Sequence, residues 1–125
     1  MIVYKIVPAP VWRASEASGA FTGSAVDVRD GFIHFSTAAQ VRETAARHFA
    51  DQADLVLAAF ESDALGPALK WEPSRGGALF PHLQRALREA DLVRAWPLAR
   101  GGGRFEPPAL GREAADDRPA GRAWR

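Results

Sequence analysis

Apolar and polar positions along the chain follow two rhythms, one of strands and one of short helices. Ile2-Val3-Tyr4-Lys5-Ile6-Val7 is an apolar, β-branched run that predicts a first strand. Pro8 and Pro10 end it, and residues 10–18 fit a short helix with proline in its first turn and Gly19 as its closing glycine. Val11, Trp12 and Ser15 fall near one face, which makes Trp12 a core anchor. Residues 20–30 read as a loop. Asp30-Gly31 is a turn signal, and Phe32-Ile33-His34-Phe35 has the composition of a strand. Strand alternation puts Phe32, His34 and Ser36 on one face, with Ile33 and Phe35 on the other. Thr37-Ala38-Ala39-Gln40 fits a capping box opening a helix over 38–50. Ala38, Val41, Ala45 and Phe49 give that helix one apolar stripe.

Asp54-Leu55-Val56-Leu57-Ala58-Ala59-Phe60 is nearly continuous apolar sequence, as expected of a strand covered on both faces. Residues 63–67 make a turn with Leu65 tucked beneath. Leu69-Lys70-Trp71-Glu72 is a brief alternating strand stopped by Pro73, and Gly76-Gly77 loosens the chain before Leu79-Phe80-Pro81-His82-Leu83. Residues 84–91 fit a helical turn and 92–98 a last strand. From Ala99 onward three glycines, Pro107-Pro108 and interleaved charges leave little to bury. Residues 99–125 therefore read as a flexible tail behind a globular unit of 1–98. The element order predicts a compact α+β domain with a mixed sheet.

A chain of 125 residues is long enough to bury a core without staples. The absence of cysteine excludes disulfides and thiolate chemistry. A net charge of +1 supplies no electrostatic footprint for nucleic acid or a membrane surface. The opening apolar run breaks at Pro8, too early for a signal peptide, and no run approaches the roughly 18 residues of a membrane span. The expectation is a cytoplasmic domain.

Several side chains can carry chemistry, each beside a plainer role. His34 can hydrogen-bond a ribose hydroxyl or carry a proton, or it can be a partly buried structural histidine. Ser36 can donate to a ligand amide or cap the following helix. Together they sit at a strand end before a helix N-terminus, a setting for anionic or amide ligands. Lys70 and Glu72 share a strand face and can form a solvated ion pair. Alternatively, Glu72 stands beside the 73–77 loop, where Arg75 can grip a phosphate bidentately. His82, after Pro81, reads as structural ahead of catalytic. His34, His48 and His82 are too dispersed for metal-ligand spacing, and no Gly-x-Ser-x-Gly elbow occurs.

Two blocks carry a family resemblance. Gly31-Phe32-Ile33-His34-Phe35-Ser36-Thr37, with Gln40-Val41 and Ala46-Arg47-His48-Phe49, resembles the DUF952 family of small bacterial proteins. So does Leu69-Lys70-Trp71-Glu72-Pro73-Ser74-Arg75-Gly76-Gly77 through Leu79-Phe80-Pro81-His82-Leu83. The resemblance spans roughly residues 1–98. It implies no established activity, and a fold similar to that of ADP-ribosyltransferases, a split sheet with a cleft for a nicotinamide dinucleotide. In that wider group a strand bearing His, a spacer and then Ser or Thr contacts the ribose and the nicotinamide amide. The resemblance gives those roles to His34 and Ser36, with Phe35 where the spacer is often glycine. Transferases of the group add a stacking tyrosine and a late-strand glutamate. Here the one tyrosine is Tyr4 and the last strand has no acid, so Glu72 is the nearest substitute. The RNA 2′-phosphotransferase branch uses histidine and arginines, which His34 and Arg75 would suit. Gln84-Arg85 stands where the family commonly has Tyr-Gly.

Three readings follow. The first is a non-catalytic module that binds a small molecule or protein, favoured by the missing tyrosine and late glutamate. The second is a transferase dependent on NAD or a phosphorylated nucleotide, with Glu72 and His34 as catalytic candidates and His34, Ser36, Arg75 and His82 as cofactor contacts. The third, a nucleic-acid binder using Arg75, Arg85, Arg88 and Arg94, is opposed by the near-neutral charge.

Overall fold

The computed structural model describes residues 1–101 and 104–106. In chain order its main elements are β1 (Ile2–Pro8), α1 (Ala9–Ser18), β2 (Ala20–Phe21), α2 (Ala25–Asp30), β3 (Ile33–His34) and α3 (Val41–His48). There follow β4 (Leu55–Glu61), α4 (Ser62–Leu65), β5 (Leu69–Pro73), β6 (Leu79–Leu83), β7 (Leu87–Arg88), β8 (Leu92–Gly101) and β9 (Arg104–Glu106). The strands form a four-stranded sheet of order β1-β4-β8-β9, a three-stranded sheet of order β3-β6-β5 and a β2-β7 pair. Among the described residues the pairings are antiparallel, so the α+β class expected from the element order holds but the expected mixed sheet does not: each sheet joins strands that run in opposite directions.

The four-stranded sheet is covered on both faces, as the apolar run of β4 requires. Alternation sends Val3, Val7, Ala58 and Phe60 into a cluster with Trp12, Ile33, Phe35 and Leu83. Tyr4, Ile6, Leu57 and Ala59 point the other way, against Val41 and Ala45 of α3. The first cluster joins the two larger sheets: Phe35 meets Phe60 edge-on, with ring centroids 5.4 Å apart. Between Val3 and Val7, by the same alternation, Lys5 also faces this interface, and it is only 5% exposed.

Several boundaries differ from expectation for local reasons. Residues 20–30 are not a loop but carry β2 and α2. The Asp27 side chain accepts from the Ser24 backbone N–H at 2.9 Å, the reciprocal half of a capping box, and Gly31 closes α2 in the left-handed region at φ 87°. A six-residue helix is too short to show a period. The third helix begins at Val41, although Gln40 does reach back, its Oε1 accepting from Thr37 N–H at 2.9 Å. Of residues 84–91, expected as a helical turn, Leu87–Arg88 form β7 and only Glu89–Asp91 make a turn of 3-10 helix. The last long strand runs to Gly101, past the expected end at Leu98. Residues 107–125, most of the expected tail, lie outside the described residues. Among those described, no helix is long and apolar enough to cross a membrane.

Candidate functional site

The site begins with a charge that cannot stay unpaired. Lys5 interrupts an apolar strand, and burying an ammonium is costly unless a partner comes with it. The partner is Asp27, delivered by α2: Lys5 Nζ lies 3.0 Å from both carboxylate oxygens. Asp27 gathers further donors. Ser24 gives its N–H at 2.9 Å and its hydroxyl at 3.1 Å. His34 gives its backbone N–H at 3.1 Å and its ring Nδ1 at 2.7 Å. Because β3 is an edge strand, its outward N–H would otherwise lack a sheet partner, and Asp27 supplies one. Burial pushes the Asp27 carboxyl up, but the His34 hydrogen bond, the Lys5 charge and the Ser24 N–H outweigh it and hold the group far below the ordinary carboxylate range. Burial pulls Lys5 down against the charge of Asp27.

With Nδ1 donating to Asp27, the His34 ring is fixed in orientation and turns Nε2 outward, 3.0 Å from Asp30 Oδ2. Across the sheet, His34 pairs directly with His82 of β6, and His82 with Lys70 of β5. Directly paired residues share a face, so three basic side chains form one row. His82 is buried, and its Nδ1 stands 2.7 Å from Glu72 Oε1. Glu72 reaches it diagonally, since its own register partner is Phe80. The two imidazole centroids are 5.3 Å apart, and Phe32 covers the pair, stacked on His82 at 4.2 Å and tilted against His34 at 4.6 Å. The arrangement is two carboxylate-oriented imidazoles side by side under one aromatic ring.

A family model described as a protein of unknown function, DUF952, matches residues 6–95. The chain belongs to the DUF952 family. It is similar to protein CC0527 from Caulobacter crescentus, whose X-ray structure has 47% sequence identity and a TM-score of 0.82, covering 92% of this chain and 99% of that one. The solution NMR structure of CC0527 gives 49% identity and a TM-score of 0.76, covering 88% and 93%. No curated protein matches.

In this DUF952 chain the expected site residues separate into two groups. His34, His82 and Glu72 come together. Ser36 does not join them: the chain leaves β6 after Phe35, and Ser36 exchanges backbone hydrogen bonds with Tyr4 of β1 at 2.8 Å. Its hydroxyl is 2.9 Å from Thr44 Oγ1 on α3, and the residue is buried. Nor does it cap that helix, whose N-cap is Gln40. The side chain of Arg75 lies outside the described residues. Lys70 and Glu72 share a face as expected, but Glu72 turns to His82. Asp30, read only as a turn residue, joins Lys5 and Asp27, which carry the site without having been singled out. Two signals pointed to them: a lone lysine inside an apolar strand, and Ser24-x-x-Asp27 ahead of Gly31. Among the described residues no group of three or more His, Asp or Glu side chains could hold a metal ion.

These pairings make the domain acid-sensitive. A second buried carboxylate, Asp91, is pushed up by burial but brought below its ordinary value by Arg85, which donates at 2.9 and 3.2 Å, and by the Arg88 N–H at 2.8 Å. Asp27 and Asp91 both titrate lower folded than unfolded, so the unfolded chain binds more protons as pH falls. Their stabilisation is present in full above about pH 4 to 5 and is lost below that as the unfolded-state carboxyls protonate. Urea midpoints are expected to hold steady from neutrality to about pH 5 and to drop steeply by about pH 3. A flat acid limb would mean that neither carboxylate is held as described.

Proposed function

We propose that this DUF952 domain is a small-molecule-binding module, built on a fold of the ADP-ribosyltransferase kind, whose ligand seats at His34 and His82. NAD, or another phosphorylated nucleotide, is the ligand class the reading favours. The observation that supports it is the pair of imidazoles 5.3 Å apart, each held through Nδ1 by its own carboxylate. A carboxylate on Nδ1 fixes a ring so that Nε2 faces whatever comes to it. His82 Nε2 has no hydrogen-bond partner among the described residues, although the ring is nine-tenths buried. A polar atom so placed calls for a partner, and a ligand hydroxyl or amide supplies one. Half-buried Phe32 adds an aromatic wall of the kind that nicotinamide or purine rings stack on. Arg85 is engaged with Asp91, which removes it from any set of phosphate-gripping arginines.

A second reading, transfer chemistry, draws on Glu72. Its side chain is 45% exposed and binds His82 through one oxygen, leaving negative charge at the edge of the site. As the bond from ribose to nicotinamide breaks and its electron pair leaves with the ring, Glu72 would face the cationic ribosyl carbon while an acceptor hydroxyl, water in the simplest case, bonds to that carbon and releases its proton to solvent. The departure of Ser36 from the site and the missing tyrosine place this reading second.

Imidazole resonances separate the readings. Titrated NAD is expected to shift those of His34 and His82 while leaving His48, exposed on α3, unmoved. Equal shifts at all three histidines, or none, would remove the nucleotide. Free nicotinamide accumulating during the titration would move the second reading ahead of the first.

A further inference from the structure

We propose that Asp30 is a built-in occupant of the ligand position on His34, a displaceable carboxylate standing where a phosphate oxygen of the nucleotide will bind. This inference rests on the nucleotide-binding reading above and adds to it the group that guards the site and the ligand atom that replaces it.

The two carboxylates on the His34 ring are held very differently. Asp27 cannot leave. Its side chain is 1% exposed, and its departure would strand Lys5, the Ser24 cap and the His34 N–H. Asp30 can. Its side chain is 31% exposed, as is 29% of the His34 side chain it meets. Asp30 is the last residue of α2, and Gly31 follows in the left-handed region, where only the near-absence of a side chain makes the backbone unstrained. The other Asp30 oxygen already lies 3.0 Å from Arg29 Nε, so a carboxylate that swings off His34 keeps a cationic partner.

Ring chemistry says what replaces it. Both ring nitrogens face carboxylate oxygens, which only accept, so the imidazolium form satisfies both contacts, Nδ1 donating to Asp27 and Nε2 to the anionic oxygen of Asp30. The seat is thus shaped for an oxyanion, and a phosphate oxygen reproduces both the charge and the acceptor. While Asp30 stays nearby, its own charge opposes the newcomer, so the same residue sets both access and affinity.

The test uses the full chain, Asp30→Ala and Asp30→Asn, with inorganic phosphate and NAD as probes and the His34 ring resonances as readout. Asp30 is exposed and at a helix end, so both variants keep the fold. Removing the charge is expected to tighten phosphate binding on the order of tenfold, with the largest shift at His34. Asp30→Asn, which keeps the shape and loses the charge, should fall between wild type and Asp30→Ala. Equal affinities in all three proteins, or a phosphate shift that spares His34, would overturn the proposal. NAD bound at His34 equally in wild type and Asp30→Ala would overturn the gate and leave the nucleotide reading standing. Phosphate seated on His34 in Asp30→Ala, with NAD binding no form, would uphold the gate and remove NAD. Neither probe binding any form would overturn both.

Discussion

Asp27→Ala is expected to cost on the order of 3–5 kcal/mol of folding free energy, because it removes one member of a buried ion pair and leaves the other behind. Lys5 would remain in the interface between the two larger sheets without the counter-charge that Asp27 supplies at 3.0 Å. The same substitution uncaps α2 and frees the edge-strand N–H of His34. Lys5→Met should cost less, because Asp27 keeps its bonds to His34 and Ser24 and the methionine fits the apolar surroundings of Val3 and Val7. The double variant Lys5→Met/Asp27→Ala should recover part of the Asp27→Ala loss, the signature of a pair whose members are costly mainly when separated. Urea unfolding of the four proteins gives the cycle. A loss below about 1 kcal/mol for Asp27→Ala would mean that the carboxylate is solvated and orients nothing.

Phe60→Ala is expected to destabilise by about 3–5 kcal/mol through lost burial and a residual cavity. Phe60 is fully buried at the centre of the cluster joining the four-stranded sheet to β3 and β6. Its edge-on partner Phe35 directly follows His34, so the cavity opens beneath the strand that presents the ring. For a domain whose total stability is roughly 5–15 kcal/mol, that loss approaches unfolding. Phe60→Leu, which keeps most of the volume, should cost about 1.5 kcal/mol or less. Equal, small losses for both would mean that the two sheets do not close on Phe60.

Much of the scaffold is legible because its signals are local. Pro10 and Gly19 bracket α1, the unbroken apolar run of β4 announces a strand covered twice, and the two motif blocks lead to the DUF952 family. The site is less legible because its contacts depend on register and crossing. Alternation correctly puts Lys70 and Glu72 on one face, but only the β5–β6 register shows that Glu72 lies diagonal to His82. Alternation fails for His34 and Ser36 for a physical reason. β3 is two residues long, and the chain passes from β6 to β1 between those positions, so the period of two has no continuous sheet to act on. Asp27 was hidden differently. It lies in a short helix among glycines and small residues, where composition says loop and only the capping pair says otherwise.

The measurement that bears most directly on the account is calorimetric titration of NAD into the wild-type protein, His34→Ala and His82→Ala. Micromolar binding to wild type is expected, weakened by at least about tenfold in each variant as a ligand hydrogen bond disappears. Undiminished binding in both variants, or no heat with the wild-type protein, would contradict a nucleotide site at His34 and His82.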